Sequence, residues 1–382
     1  MPTRILIISD PIAPPSYAPR VMSMYRYLKE AGQEVVLEAG ELREKPSPWQ
    51  FIGDKLWQQA DREFAKMLIA KYPKGRFDVI LCSTYYYFPL LTAEKLSQAW
   101  GIPYVVDLRD IVEQWGKASY FTTKLPRLGG LVKVAARWYE QRNLRMRNRV
   151  MDGAKAVVTI SPWHQKHLQS LTRTHVHLIY NGYDEEEMHW EERQTEVFSM
   201  AFIGRFMSLS LRQPHLLLEA LGEMIQNGEI AADEWRLDIY AEAEKEQEVR
   251  KLAQQYGAEQ LIAWHAFVPR KELGKIMAES SVLLALGCPP EEGQHGILGT
   301  KVFEAIGAEK PLLLVPSDED SLAELIRETG IGCAAKTKED AKVFLREQYA
   351  EWKEKGCTRR NIEKKDMFNR KDEAQQMLNI LQ

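Results

Sequence analysis

Apolar positions along the chain gather into short runs rich in Val, Ile and Leu, separated by longer stretches in which apolar residues recur at helical spacing. In the first half the runs are "RILIIS" from Arg4, "EVVLE" from Glu34, "DVILC" from Asp78, "PYVVD" from Pro103 and "AVVTI" from Ala156. After them come "SMAFIG" from Ser199, "RLDIY" from Arg236, "VLLAL" from Val282 and "PLLLV" from Pro311. Each run is apolar at successive positions, so both faces of the strand need cover, which is the pattern of parallel sheets flanked by helices. Strands and helices alternate throughout, and this predicts α/β architecture. The acidic, apolar-poor stretch "DEEEMHWEERQTEVF", Asp184 to Phe198, interrupts the alternation and divides it into two doubly wound domains. A length of 382 residues fits that division, because single cores stop growing near roughly 250–300 residues. Ligands of open parallel sheets gather at the carboxyl ends of the strands, and two facing domains leave a cleft between them.

The segment after the first run excludes one cofactor class. "SDPIAPPSYAPRV" carries four prolines and no glycine. It therefore lacks the Gly-x-Gly-x-x-Gly turn that brings a backbone close to a dinucleotide pyrophosphate, so a simple dehydrogenase is not expected. Tyr17 and Arg20 close this stiff loop, either as solvent-facing side chains or as substrate contacts.

Cys82, Cys288, Cys333 and Cys357 are scattered without metal-ligand spacing and read as buried or incidental thiols. Nothing approaches the ~18 apolar residues of a membrane span, and "MPTRILIISD" runs directly into a strand without a signal-peptide core; the expected location is cytoplasmic. The net charge of -3 conceals an asymmetry. Residues 1–190 hold 26 Lys and Arg against 20 Asp and Glu, and residues 191–382 hold 25 against 34. Within 111–150 the balance is nine basic to two acidic, which suits an anionic partner. That run, centred on "LVKVAARWYEQRNLRMRNRV" at 131–150, is either a solvated helix face or a contact for the inner face of an anionic membrane. No recognition module accompanies it, so nucleic acid is not an expected partner.

Seven successive blocks, among them "VVDLRDIVEQW", "AVVTISPWHQKHL", "AFIGRF", "HAFVPRKEL" and "GTKVFEAIGAEKPLLL", resemble the GT-B glycosyltransferases, and within them the retaining nucleotide-sugar enzymes of glycosyltransferase family 4. The resemblance covers nearly the whole chain and implies two Rossmann-like domains facing across a cleft. On it, residues 1–187 form an acceptor-side domain, 188–198 a linker, 199–364 a nucleotide-sugar donor domain, and 365–382 a closing helix that returns to the first domain. It implies no cofactor and no metal, since GT-B enzymes generally neutralise the diphosphate with protein groups.

Site residues follow from the same resemblance. Gly204 and Arg205 in "GRF" match the start of the donor site, and Arg212, four residues before Leu216, stands where the family usually has a lysine. Two cations there would stabilise the charge that develops on a departing diphosphate. Gly299, Thr300 and Lys301 open a helix whose first N–H groups suit a phosphate, and Val268 belongs to the same donor side. Glu304 corresponds to the glutamate that accepts hydrogen bonds from the nucleotide ribose. Many relatives carry a second glutamate eight positions earlier, where this chain has Gly296; Glu291, Glu292 or His295 could substitute. Acceptor-side candidates are Tyr17, Arg20, the loop Ser83 to Pro89, and Asp107, Arg109 and Asp110 of "DLRD". A carboxylate of that pair either orients an acceptor hydroxyl or forms an ion pair with Arg109.

The implied activity is transfer of a sugar, with retention, from a nucleotide-diphosphate donor to a hydroxyl on a carbohydrate or lipid-linked acceptor, in cell-surface polysaccharide or glycan synthesis. Two alternatives stay open: a nucleotide-sugar epimerase of the same fold, which needs no acceptor, and a non-catalytic scaffold that keeps the nucleotide cleft.

Overall fold

The computed structural model describes residues 1–12, 18–41, 58–115, 130–185, 193–206, 209, 212–231, 233–287 and 293–382. They form two compact units, one of Met1–Asn181 with Arg370–Gln382 and one of Gly182–Asn369. Residues 188–192 of the expected linker lie outside the described residues.

The first unit is built on six parallel strands, β1 (Arg4–Ser9), β2 (Glu34–Ala39), β3 (Val79–Thr84), β4 (Tyr104–Leu108), β5 (Ala156–Thr159) and β6 (Val176–Leu178), in the order β2-β1-β3-β4-β5-β6. Consecutive residues of these strands enter opposite cores. Leu6, Ile8, Ile80, Val106 and Val157 pack on one face, and Ile5, Ile7, Val79, Leu81, Val105 and Val158 on the other. The second core is completed by the helix Pro19–Glu30 and by Ala374, Met377, Leu378 and Leu381 of the C-terminal helix Arg370–Leu381.

The second unit repeats the plan with β7 (Phe198–Ile203), β8 (Trp235–Tyr240), β9 (Ile262–His265), β10 (Val282–Ala285), β11 (Leu312–Leu314) and β12 (Gly332–Ala334), in the order β12-β11-β10-β7-β8-β9 and again all parallel. Met200, Phe202, Leu237, Ile239 and Leu284 pack against the helices His215–Gln226, Glu246–Tyr256 and Lys338–Lys355. The last of these starts with a reciprocal cap, Thr337 accepting from the Asp340 N–H while the Asp340 carboxylate accepts from the Thr337 N–H. In each sheet the connection reverses direction once, between β1 and β3 and between β7 and β10, so the carboxyl ends of those strands mark where a ligand fits. Among the described residues no helix is long and apolar enough to cross a membrane.

Candidate nucleotide and acceptor sites

In the second unit the strands at the reversal point deliver the predicted donor residues. Gly204 and Arg205 follow β7 directly, and the chain leaving β10 reaches Gly299 and the helix Thr300–Ala308. Gly299 caps that helix with an ordinary extended backbone, φ -69°, and no side chain caps its first N–H groups. A Cβ added at Gly299 would meet nothing within 4 Å. Neither backbone strain nor packing among the described residues asks for glycine here, and the positive end of the helix is left uncapped by any side chain.

Glu304 sits on the same helix and is wholly buried, at 0 % exposure. Its Oε2 lies 2.7 Å from Lys301 Nζ, one turn earlier, and its Oε1 lies 3.7 Å from Arg270 Nη1. Arg270 comes from the turn Arg270–Glu272 that follows β9, two residues beyond the half-buried Val268. A buried carboxylate survives ionised only beside compensating charge, and this one has two cations and the helix start around it. Arg205 is exposed, with its guanidinium 5.5 Å from the ring centre of Phe267. Arg212 Nη1 donates to the Leu286 carbonyl at 2.8 Å and so ties the connection after β7 to the segment after β10. The half-buried Thr300 opens the helix itself.

Gly296 has a positive φ of 69°, which a glutamate would adopt only under strain, and its N–H donates to Asp320 Oδ2 at 2.6 Å. His295 Nδ1 approaches the same carboxylate at 3.5 Å. Glu291 and Glu292 lie outside the described residues.

In the first unit the acceptor-side candidates separate into two groups. Arg20 is turned inward, 3 % exposed, and is held between two carboxylates. Its Nη2 donates to Asp107 Oδ1 at 3.0 Å, its Nη1 to Tyr180 O at 2.9 Å and also to Glu373 on the C-terminal helix. Asp107 further accepts from Ser83 Oγ at 2.7 Å. Burial pushes Glu373 up to about 7 against the pull of Arg20 and Arg370. These residues bind helix, strand and C-terminal helix together. Of the two readings of "DLRD", the ion pair of a neighbouring aspartate with Arg109 is not found among the described residues: Arg109 pairs with Asp10 at the end of β1, and its guanidinium lies 4.0 Å from the Tyr85 ring centre. Asp107 lies within β4 and Arg109 directly after it, and the partner each finds comes from another element, Arg20 from the helix Pro19–Glu30 and Asp10 from the end of β1. Asp110 accepts from Gln114 Nε2 at 3.1 Å, and burial pushes its carboxyl up to about 6. Tyr17 lies outside the described residues.

Arg270, Asp10 and Glu373 were passed over in the sequence. Arg270 stands inside a block that was recognised, and Asp10 is a carboxylate directly after a strand, so both carried a signal. Glu373 had none, because its role comes from a partner 353 residues away. Among the described residues no group of three metal-ligating side chains comes together.

A model of the family described as Glycosyltransferase Family 4 matches residues 19–187. No curated protein matches the chain. Among solved structures it is similar to sucrose-phosphate synthase from Thermosynechococcus elongatus, with 12 % identity, a TM-score of 0.65, and 99 % of this chain and 98 % of that one covered. It is also similar to Anabaena HepE in complex with UDP-glucose, with 14 % identity, a TM-score of 0.62 and 99 % of each chain covered. WaaG, described as a glycosyltransferase involved in lipopolysaccharide biosynthesis, matches at 12 % identity and a TM-score of 0.60, again over 99 % of each chain. At such identities the structures speak for the fold, which is that of the two-domain GT-B glycosyltransferases, and the match to the Glycosyltransferase Family 4 model speaks for residues 19–187.

Proposed function

We propose that the protein transfers a sugar from a nucleotide-diphosphate donor to a hydroxyl acceptor with retention of configuration, in the synthesis of a cell-surface polysaccharide or glycan. The observation that carries this reading is the buried Glu304 with Lys301 and Arg270 beside it, one turn into a helix whose glycine start is open to an anion. Glu304 would accept from the ribose hydroxyls, the helix start at Gly299 and Thr300 would take a phosphate, and Arg205 and Arg212 would balance the charge on the departing diphosphate. The bond from the anomeric carbon to the diphosphate oxygen breaks, and the bond to the acceptor oxygen forms on the same face. The acceptor proton leaves on the diphosphate. Cations matched to the leaving group lower the barrier because the charge they meet grows toward the transition state. HepE holds UDP-glucose, which makes a uridine donor the first to try, and the description of WaaG supports a cell-surface product.

Calorimetry with UDP, GDP and ADP tests the reading. One of them should bind, and Arg205→Ala should lower kcat/KM by about 10²–10³-fold with little change in melting temperature, since Arg205 is exposed. If none binds, the reading fails.

The helix Gly130–Gly153 supports contact with an anionic membrane surface through its exposed start, where Val134 and Trp138 are 65 % and 52 % exposed and Arg142 lies 5.8 Å over the Trp138 ring. Arg147 takes no part, being buried against Glu113 with two hydrogen bonds of 2.7 Å. Vesicles rich in anionic lipid should retain the protein, and Arg137→Glu with Arg145→Glu should release it. Equal retention of both forms would end this idea.

A further inference from the structure

Both arginines that the acceptor side could offer to an anion are spent on carboxylates of the first unit. Arg20 is held by Asp107 and Glu373, and Arg109 by Asp10. Among the described residues Asp110 makes no ion pair, and the Gln114 amide donates to one of its two oxygens. Among the described residues the carboxyl groups of Asp10, Asp107, Asp110 and Glu373 gather around Arg20 and Arg109. It lies where β1, β3 and β4 end, at the reversal of strand order. Among the described residues Arg109 Nε finds no hydrogen-bond partner, on a side chain only 5 % exposed. A buried donor without a partner calls for an oxygen from a ligand or a water. Beside these groups Trp115 Nε1 donates to Tyr86 OH at 3.3 Å, which fixes two half-buried aromatic rings in place.

We propose that this cluster is an acceptor subsite for an uncharged or amino-bearing sugar ring, and that it discriminates against sugars carrying a carboxylate. A pair of neighbouring ring hydroxyls matches the groups present. One donates to Asp110, the other offers its oxygen to Arg109 Nε, and the apolar face of the ring rests on Tyr86 and Trp115. A uronic acid would instead bring a second negative charge beside Asp110, where Arg109 is already paired with Asp10. The inference rests on the reading of the first unit as the acceptor side.

The test is binding by ligand-observed NMR to the full chain in the presence of UDP, with methyl glucoside, methyl 2-amino-2-deoxyglucoside and methyl glucuronide as probes. The UDP signal reports the donor site separately. Glucoside and amino-glucoside should bind, and glucuronide at least about tenfold more weakly, a difference expected for an uncompensated like charge within hydrogen-bonding range. Asp110→Asn should reduce the gap between glucoside and glucuronide to within about threefold. The charged and titratable groups facing Asp110 are Asp10 from β1, Tyr85 after β3 and Arg109 beside it. Because burial raises the Asp110 carboxyl, the unmodified protein should also lose most of the gap at pH 5.0 compared with pH 7.5, and this second reading holds even if the variant does not fold. Glucuronide binding as tightly as glucoside, a gap untouched by both Asp110→Asn and acid, or UDP binding with none of the three sugars would each overturn the proposal. Sugar discrimination without UDP binding would keep it and overturn the donor reading instead.

Discussion

Glu304 shows how much one side chain owes to its surroundings. As the fifth residue of a helix it would be an ordinary solvated glutamate; here it is sealed from water and tolerated because Lys301 and Arg270 stand against it. If its work is on the ribose, Glu304→Gln keeps the shape, removes the charge and weakens nucleotide binding by about 10- to 100-fold, the equivalent of a charge-assisted hydrogen bond of roughly 1.5–3 kcal/mol. The loss should be the same for UMP and UDP, since the ribose is common to both, and calorimetry with the two ligands checks it. A loss confined to UDP would place Glu304 on the phosphates. Lys301 is legible as a neighbour three positions away on one helix face, whereas Arg270, though inside the block "HAFVPRKEL", cannot be matched to Glu304 from the sequence, because it arrives from a different strand end. The same limit applied at "DLRD". Its four residues announced charge after a strand, but Asp107 found Arg20 and Arg109 found Asp10, choices made by elements distant in sequence.

At the scale of elements the apolar runs predicted nine strands, and all nine are present. The three that were missed, β6 as "VHL", β9 as "IAWH" and β12 as "GCA", are short and lie at the outer edges of their sheets. An edge strand is covered on fewer sides, so selection for a long apolar run is weakest there. Two glycines differ in what a side chain would meet. A Cβ on Gly287 would sit 2.0 Å from the Pro316 carbonyl oxygen, whereas one on Gly299 would touch nothing. Gly287→Ala should therefore lower the melting temperature markedly. Gly299→Ala should leave it within about a degree and weaken nucleoside diphosphate binding more than nucleoside binding. Thermal melts paired with calorimetry separate these outcomes, and a Gly299→Ala protein that binds UDP normally would remove this glycine from the phosphate site.

On the scale of the whole chain, the C-terminal helix belongs to the first unit although it follows the second in sequence. Its apolar face joins the core, and Glu373 reaches the buried Arg20. Because burial raises the Glu373 carboxyl to about 7, from an unfolded value near 4.5, the folded state holds this proton more tightly than the unfolded one. The stability that proton contributes is complete below pH 4.5 or so and is lost as pH rises through 7. Glu373→Gln keeps a neutral group at all pH values, so the melting temperature of the variant minus that of the unmodified protein should rise between pH 4.5 and 7.5. A difference curve that is flat or falls would mean that Glu373 titrates low, as a plain salt bridge to Arg20.

By itself the sequence determined the class of fold, because a strand buried on both faces must be apolar at successive positions and that pattern is local. It also determined where Gly204, Arg205 and Gly299 stand, since they follow their strand or open their helix in plain order. Tertiary structure alone decided which charges remain available. A buried ion must take whichever countercharge the fold brings within a few ångströms, and the fold brought Glu373 to Arg20, Asp10 to Arg109 and Arg270 to Glu304, none of them neighbours in the chain.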